Sequence, residues 1–137
     1  MLNENEIVEL LTKHLIANNY KIIQSLDTNS KGIDIIADNI KNNDRLFIEA
    51  KGETSSKEHT NRFGQAFDSK QIRNHISRAV FAAMKIITLK PAGSKTKAAI
   101  ALPATEGHKK EFENIRGAVE KLNIKIFWVD TENVIED

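Results

Sequence analysis

Two stretches of alternating character, separated by a short polar turn, leave this chain few ways to fold. Ile33-Asp34-Ile35-Ile36-Ala37-Asp38 and Arg45-Leu46-Phe47-Ile48-Glu49-Ala50-Lys51 read as strands, and Asn39 to Asp44 is a turn by composition. Side chains alternate between the faces of a strand. Ile33, Ile35 and Ala37 therefore share one face, and Asp34, Ile36 and Asp38 the other. On the returning strand Leu46, Ile48 and Ala50 oppose Phe47, Glu49 and Lys51. If the turn centres between Lys41 and Asn42, Asp34 stands across from Glu49, with Cβ atoms about 4.5–5.5 Å apart.

The remaining chain reads as helices and strands around this hairpin. Glu6 to Asn19 predicts an amphipathic helix, with Ile7, Val8, Leu11, Leu15 and Ile16 at helical spacing and Asn18-Asn19 ending it. Tyr20 begins a strand, and a polar turn from Asp27 to Lys31 leads through Gly32 into the hairpin. Gly52 stops the second hairpin strand, and Glu53 to Ser69 reads as a long loop, a kind of segment that is often functional. Gln71 to Ile87 predicts a second helix that buries Ile72, Ile76, Ala79, Val80 and Ala83. A strand at Ala98–Leu102, a helix over Glu106 to Leu122 and a strand at Ile124–Val129 complete the order α-β-β-β-α-β-α-β. That order implies one α/β domain over residues 1–137, a mixed sheet with helices on its faces.

Composition narrows the class. With 40% hydrophobic and 28% charged residues in 137, the chain has an ordinary globular make-up. No apolar run approaches the roughly 20 residues a bilayer span needs. The acidic start, Met1 to Glu6, is unlike a secretory signal, so a cytoplasmic location with no membrane partner is the expectation. The absence of cysteine excludes a disulfide framework and a thiolate metal site. The net charge of +1 conceals a division: residues 1–50 carry 5 basic and 8 acidic groups, 51–97 carry 10 and 3, and 98–137 carry 5 and 8. A basic middle third suits a protein that holds a polyanion, and equally a solvated lysine-rich surface.

Asp34 opposite Glu49 is costly in a sheet, because like charges directly across from each other destabilise it. A cation relieves that cost. Two carboxylates could share one Mg²⁺ or Mn²⁺, whose oxygen ligands lie at about 2.0–2.1 Å for Mg²⁺. Lys51, on the same face, could hold an attacking water or stabilise a charged transition state. The competing reading is a solvated sheet face carrying Asp, Glu and Lys. Glu-x-Lys alone recurs by chance; Asp34 on one strand, Glu49-x-Lys51 on the next and a helix ahead is far more specific.

Gly32-Ile33-Asp34-Ile35-Ile36-Ala37 followed by Leu46-Phe47-Ile48-Glu49-Ala50-Lys51-Gly52 resembles the PD-(D/E)xK nuclease superfamily, the restriction-endonuclease-like fold. The resemblance covers nearly the whole chain. It implies that Asp34 and Glu49 ligate Mg²⁺ and that Lys51 is the lysine of phosphodiester hydrolysis. Ile33 replaces the proline of the family motif, and Ala50 stands where a β-branched residue is usual. The family often adds a glutamate from the first helix. Glu4 shares a face with Val8, Leu11 and Leu15 and is preferred over Glu6 and Glu9, which fall off that stripe as solvated or capping residues. Its second helix often sends a polar residue to the site. Gln71, His75 and Arg78 can share one face, which could equally be an exposed polar face.

His75 has no second histidine or cysteine at metal spacing, and His14, His59 and His108 read as surface residues. Lys57, Arg62, Lys70, Arg73 and Arg78 are the candidates for nucleic-acid contact, with Arg73 off the face shared by Gln71 and His75. Phe63 and Phe67 could anchor their loop to the core or stack on bases. Mg²⁺-dependent hydrolysis of DNA leads these readings. A catalytically inactive nucleic-acid-binding or protein-interaction domain, and an RNA-directed nuclease, are the alternatives. No helix-turn-helix or zinc finger supplies base readout, so specificity would need a homodimer, a partner protein or shape recognition.

Overall fold

The computed structural model describes residues 1–27, 32–54, 67–91 and 93–137. Helix α1 (Glu4–Ala17) opens two residues earlier than its apolar period suggests. Asn3 and Glu6 form a reciprocal capping box, the Asn3 side chain accepting from the Glu6 N–H and the Glu6 side chain from the Asn3 N–H. Asn18 ends the helix, and Asn19 turns the chain at φ 68°, a left-handed conformation that asparagine tolerates. Strands β1 (Tyr20–Ser25), β2 (Ile35–Asn39) and β3 (Arg45–Ala50) follow.

Helix α2 (Ser69–Leu89) also begins two residues early, behind a second capping box between Asp68 and Gln71. It is followed by β4 (Thr96–Pro103), the short helices α3 (Glu106–Glu113) and α4 (Arg116–Lys121), and strands β5 (Lys125–Val129) and β6 (Val134–Glu136). Among the described residues no helix is long and apolar enough to cross a membrane.

All six strands form one sheet in the order β1-β2-β3-β4-β5-β6. The first three pair antiparallel, β3-β4 and β4-β5 pair parallel, and β6 returns antiparallel on β5. The sheet separates two apolar layers. Ile7, Val8, Leu11 and Leu15 of α1 pack on one face, against Ile35, Leu46, Ile48, Ala99, Ala101 and Phe127. Ile72, Ile76, Ala79 and Ala83 of α2, with Phe112 and Val119, cover Ala98, Ile100, Leu102, Ile126 and Trp128 on the other. Strand β4 is buried on both faces, which is why it reads as an unbroken apolar run.

Two expectations need correction. The single helix over Glu106 to Leu122 is two helices, broken at Asn114 and Ile115, because Ile115 leaves helical geometry (φ −124°, ψ 1°) to pack on the core. Strand β6 was not expected. Asp130 builds its turn, its side chain accepting from the N–H groups of Glu132 and Asn133 at 2.8 and 2.6 Å.

Candidate active site

The hairpin register runs from Asp38↔Arg45 to Ile35↔Ile48, and one further step places Asp34 opposite Glu49. Asp34 itself lies just before β2, where the ladder ends. Its Oδ2 accepts the Ala50 N–H at 2.8 Å, so a side chain replaces the backbone acceptor that β2 no longer offers. Its own carbonyl accepts from the Leu26 N–H at 2.8 Å, and the Ile33 carbonyl accepts from Gln24 Nε2, also at 2.8 Å. The backbone is thus held by the β1 side while the carboxylate crosses to β3. Only 7% of Asp34 is exposed.

Glu49 lies in register with Ile100, whose side chain belongs to the α2-side layer, so Glu49 rises from that face. Lys51 Nζ lies 3.4 Å from Glu49 Oε1, and its backbone N–H donates to the Ala101 carbonyl at 3.0 Å. Burial pushes the Asp34 carboxyl above its ordinary value, against the opposing pull of the Ala50 N–H and Lys51. Glu49 is raised by burial and then by the charge of Asp34, with Lys51 opposing. A buried and a half-buried carboxylate therefore crowd one another, and Lys51 compensates them incompletely.

Directly after Lys51 the chain meets the start of α1. A Cβ built on Gly52 would sit 2.5 Å from the Glu4 nitrogen and 2.6 Å from the Asn3 carbonyl carbon, so only glycine admits that approach. Glu53 N–H donates to the Leu2 carbonyl, and Asn3 bridges Thr54. Glu4, half-buried, is thereby carried to the end of β3. Glu6 is committed to its cap and Glu9 to an exposed pair with Lys13.

From α2 comes His75, next to Ile72, Ile76 and Ala79 on the inward stripe rather than on a solvated polar face. Its ring packs on Phe67 at 4.6 Å between centroids, and burial followed by the charges of Lys51 and Arg78 lowers its pKa. Of the two roles open to it, Phe67 takes the packing one, partly buried against the core. Gln71 accepts the Asp68 N–H through Oε1 in the cap of α2. His108 is a correction: read as a surface residue, it is 1% exposed beneath the N-terminus of α3. Thr105, the cap of α3, would have signalled it, because a residue three positions past a cap turns inward when Phe112 does.

Of the basic candidates, Lys70 and Arg78 are exposed on α2, and Arg73 is engaged with Glu111 at 3.1 Å. Lys57 and Arg62, with His59 and Phe63, lie outside the described residues.

The donor set suits a hard divalent cation. Asp34 has one carboxylate oxygen beyond the one on Ala50, and Glu49 has one beyond the one facing Lys51. Among the described residues no group of three or more His, Asp or Glu side chains gathers to cage an ion. Two carboxylates with water suit Mg²⁺, which keeps several waters and binds through one or two carboxylates plus phosphate.

The chain is an α/β protein with a mixed six-stranded sheet between helical layers. No family model and no curated protein matches it. A solved structure described as that of Pyrococcus furiosus SfsA in complex with Ca²⁺ does, at 12% identity and a TM-score of 0.41, over 96% of this chain and 59% of that one. This chain thus spans well under two thirds of that protein, and a likeness at this level leaves function to be argued from the site.

Proposed function

We propose that this chain is a divalent-metal-dependent nuclease that hydrolyses phosphodiester bonds in DNA, with Asp34 and Glu49 as ligands of Mg²⁺ or Mn²⁺. The observation that carries the reading is the meeting of two crowded carboxylates, buried Asp34 and half-buried Glu49, with Lys51, 3.4 Å from Glu49, where two adjacent strands end. When bound, the cation supplies Lewis acidity towards the phosphoryl oxygens and activates water. Glu49 fixes the Lys51 ammonium, and Lys51 stabilises the negative charge that grows on those oxygens as water attacks phosphorus and the P–O bond to the leaving sugar breaks. Cleavage of varied DNA and RNA forms with Mg²⁺, Mn²⁺ or EDTA tests this. Metal-dependent cutting of DNA, abolished by EDTA, is expected. A folded chain that binds DNA but cuts no form of it would instead be a binding domain.

The carboxylates make a second expectation. A carboxyl whose pKa is raised by folding holds its proton more tightly in the folded state. Its stabilising contribution is full below the ordinary carboxyl range and is lost as pH rises through the raised value. Once ionised, the pair therefore weighs against folding until a cation arrives. Mg²⁺ at tenfold excess over its Kd should add about 1.4 kcal/mol, or roughly 5 °C in Tm. The gain should fade as pH falls into the carboxyl range. Asp34→Asn with Glu49→Gln keeps an acceptor for the Ala50 N–H and should raise metal-free stability while abolishing the response. A metal response that survives in this variant would place the ion elsewhere.

Nucleic-acid contact is a third. Affinity should be sequence-tolerant and fall steeply with salt, each phosphate contact contributing about 0.9 to the log–log slope. Removing Lys70 and Arg78 together should flatten that slope by about 2. Arg73→Ala should change it less, since Glu111 already neutralises that guanidinium. Salt-insensitive binding would make the basic segment a solvated surface.

A further inference from the structure

Two ring nitrogens buried in the α2-side layer, His75 Nδ1 and His108 Nε2, have no hydrogen-bond partner among the described residues. They belong to neighbouring residues. α2 and α3 pack so closely that a Cβ on Gly107 would lie 3.1 Å from Ile72 Cδ1, and His108 feels the charge of His75. Buried polar atoms without partners are rare, and each asks for an explanation.

The Thr105 hydroxyl is placed to set which nitrogen of His108 carries a proton. It accepts the His108 backbone N–H at 3.0 Å and lies 2.7 Å from His108 Nδ1. With one lone pair on the backbone N–H, the hydroxyl is free to turn its hydrogen to Nδ1, and in that arrangement the proton of a neutral ring sits on Nε2. Neither ring readily takes a second proton: burial, then repulsion from an imidazolium at His75, lowers His108 to about 4, and burial first, then Lys51 and Arg78, lowers His75. His108 thus presents a buried donor without an acceptor, and His75 Nδ1 is the matching acceptor without a donor. The two atoms make no direct bond, so each supplies what the other lacks through one bridging water.

We propose that Thr105 and His108 are positioning residues that fix His75 as the Nε2-protonated tautomer, so that it offers an N–H donor at the Lys51 end of the site. This rests on the nuclease reading for its purpose, the donor being aimed at a phosphoryl oxygen, but not for its test. His75 Nδ1 is sealed, whereas the residue as a whole is only half-buried, so its accessible part lies elsewhere.

Long-range ¹H–¹⁵N spectra of the imidazole rings read the tautomers directly in the whole, substrate-free chain. His75 and His108 should both show protonated Nε2 at pH 7. In His108→Phe the His75 signal should shift towards protonated Nδ1 or an average of the two forms, and His108→Gln, which keeps a donor at the Nε2 position, should restore it. On a cleaved DNA substrate His108→Phe should lower kcat on the order of tenfold, the worth of one hydrogen bond, with KM unchanged. Glutamine should recover most of that loss. A wild-type His75 protonated on Nδ1 overturns the assignment, even should His108→Phe fail to fold, and so does a His75 tautomer indifferent to residue 108. If the chain cleaves nothing but the tautomers behave as stated, the nuclease reading fails and the histidine arrangement stands.

Discussion

Lys51→Ala is expected to bind DNA and divalent metal much as the parent chain does, and to cleave more slowly by something on the order of 10²–10³, the usual cost of one preorganised donor. The ammonium is placed by two separate constraints. Its backbone extends the parallel ladder onto Ala101, and its side chain, 15% exposed, pairs with Glu49. Little reorganisation is then needed when charge builds on the phosphoryl oxygens. A contact made chiefly in the transition state lowers turnover and leaves ground-state binding nearly untouched.

Because Lys51 also opposes the raised Glu49 carboxyl, removing it raises that carboxyl further, and the comparison belongs across a pH profile rather than at one pH. Lys51→Met keeps the stem without the charge and should behave like alanine. Lys51→Arg should rescue poorly, since a planar fork does not reproduce a compact ammonium. Equal cleavage by parent and Lys51→Ala would mean that any activity arises elsewhere.

The largest loss of stability should follow from adding one methyl group at Gly52. An alanine Cβ there would meet backbone atoms of Asn3 and Glu4 at 2.5–2.9 Å, and these cannot rotate away as a side chain could. Either α1 lifts from the end of β3 or the segment after Lys51 moves. Overpacking against rigid structure typically costs about 1–3 kcal/mol, and this site belongs at the upper end. That corresponds to a fall in Tm on the order of 10 °C. Calorimetry checks it, with Gly117→Ala, which meets nothing within 4 Å, as the comparison. If the two substitutions cost the same, the close approach of α1 is not a constraint on the fold.

The site's two strands were legible because a period of two leaves little freedom once both flanks are apolar. The turn symmetric about Lys41 and Asn42 gives the register observed. Helices α1 and α2 were legible in their centres but not at their starts, although the signal was present. Asn3-x-x-Glu6 and Asp68-x-x-Gln71 are both capping boxes, and each lies two or three residues outside the apolar period used to place the helix.

Three-residue β6 carries no period at all, so only the aspartate of its turn could announce it. The surroundings of Arg73 and His108 were hidden from the sequence for a common reason. Their partners, Glu111 and the α2 layer, come from elements far away in sequence, and spacing along one helix says nothing about what packs against it.

Asp34 gives the carboxylate pair an uneven inheritance. Its side chain closes the backbone ladder at Ala50, a duty that persists whether or not any chemistry occurs. A descendant that lost its activity would still be held by the fold to aspartate, or to asparagine, which offers the same acceptor. Among the described residues no backbone group receives a hydrogen bond from the Lys51 ammonium, and the Glu49 side chain pairs with that lysine alone. Those two positions would be the first to drift once selection on cleavage relaxed. In judging whether a related chain has kept its trade, an aspartate at 34 is weak testimony, and an intact Glu49–Lys51 pair is the better witness.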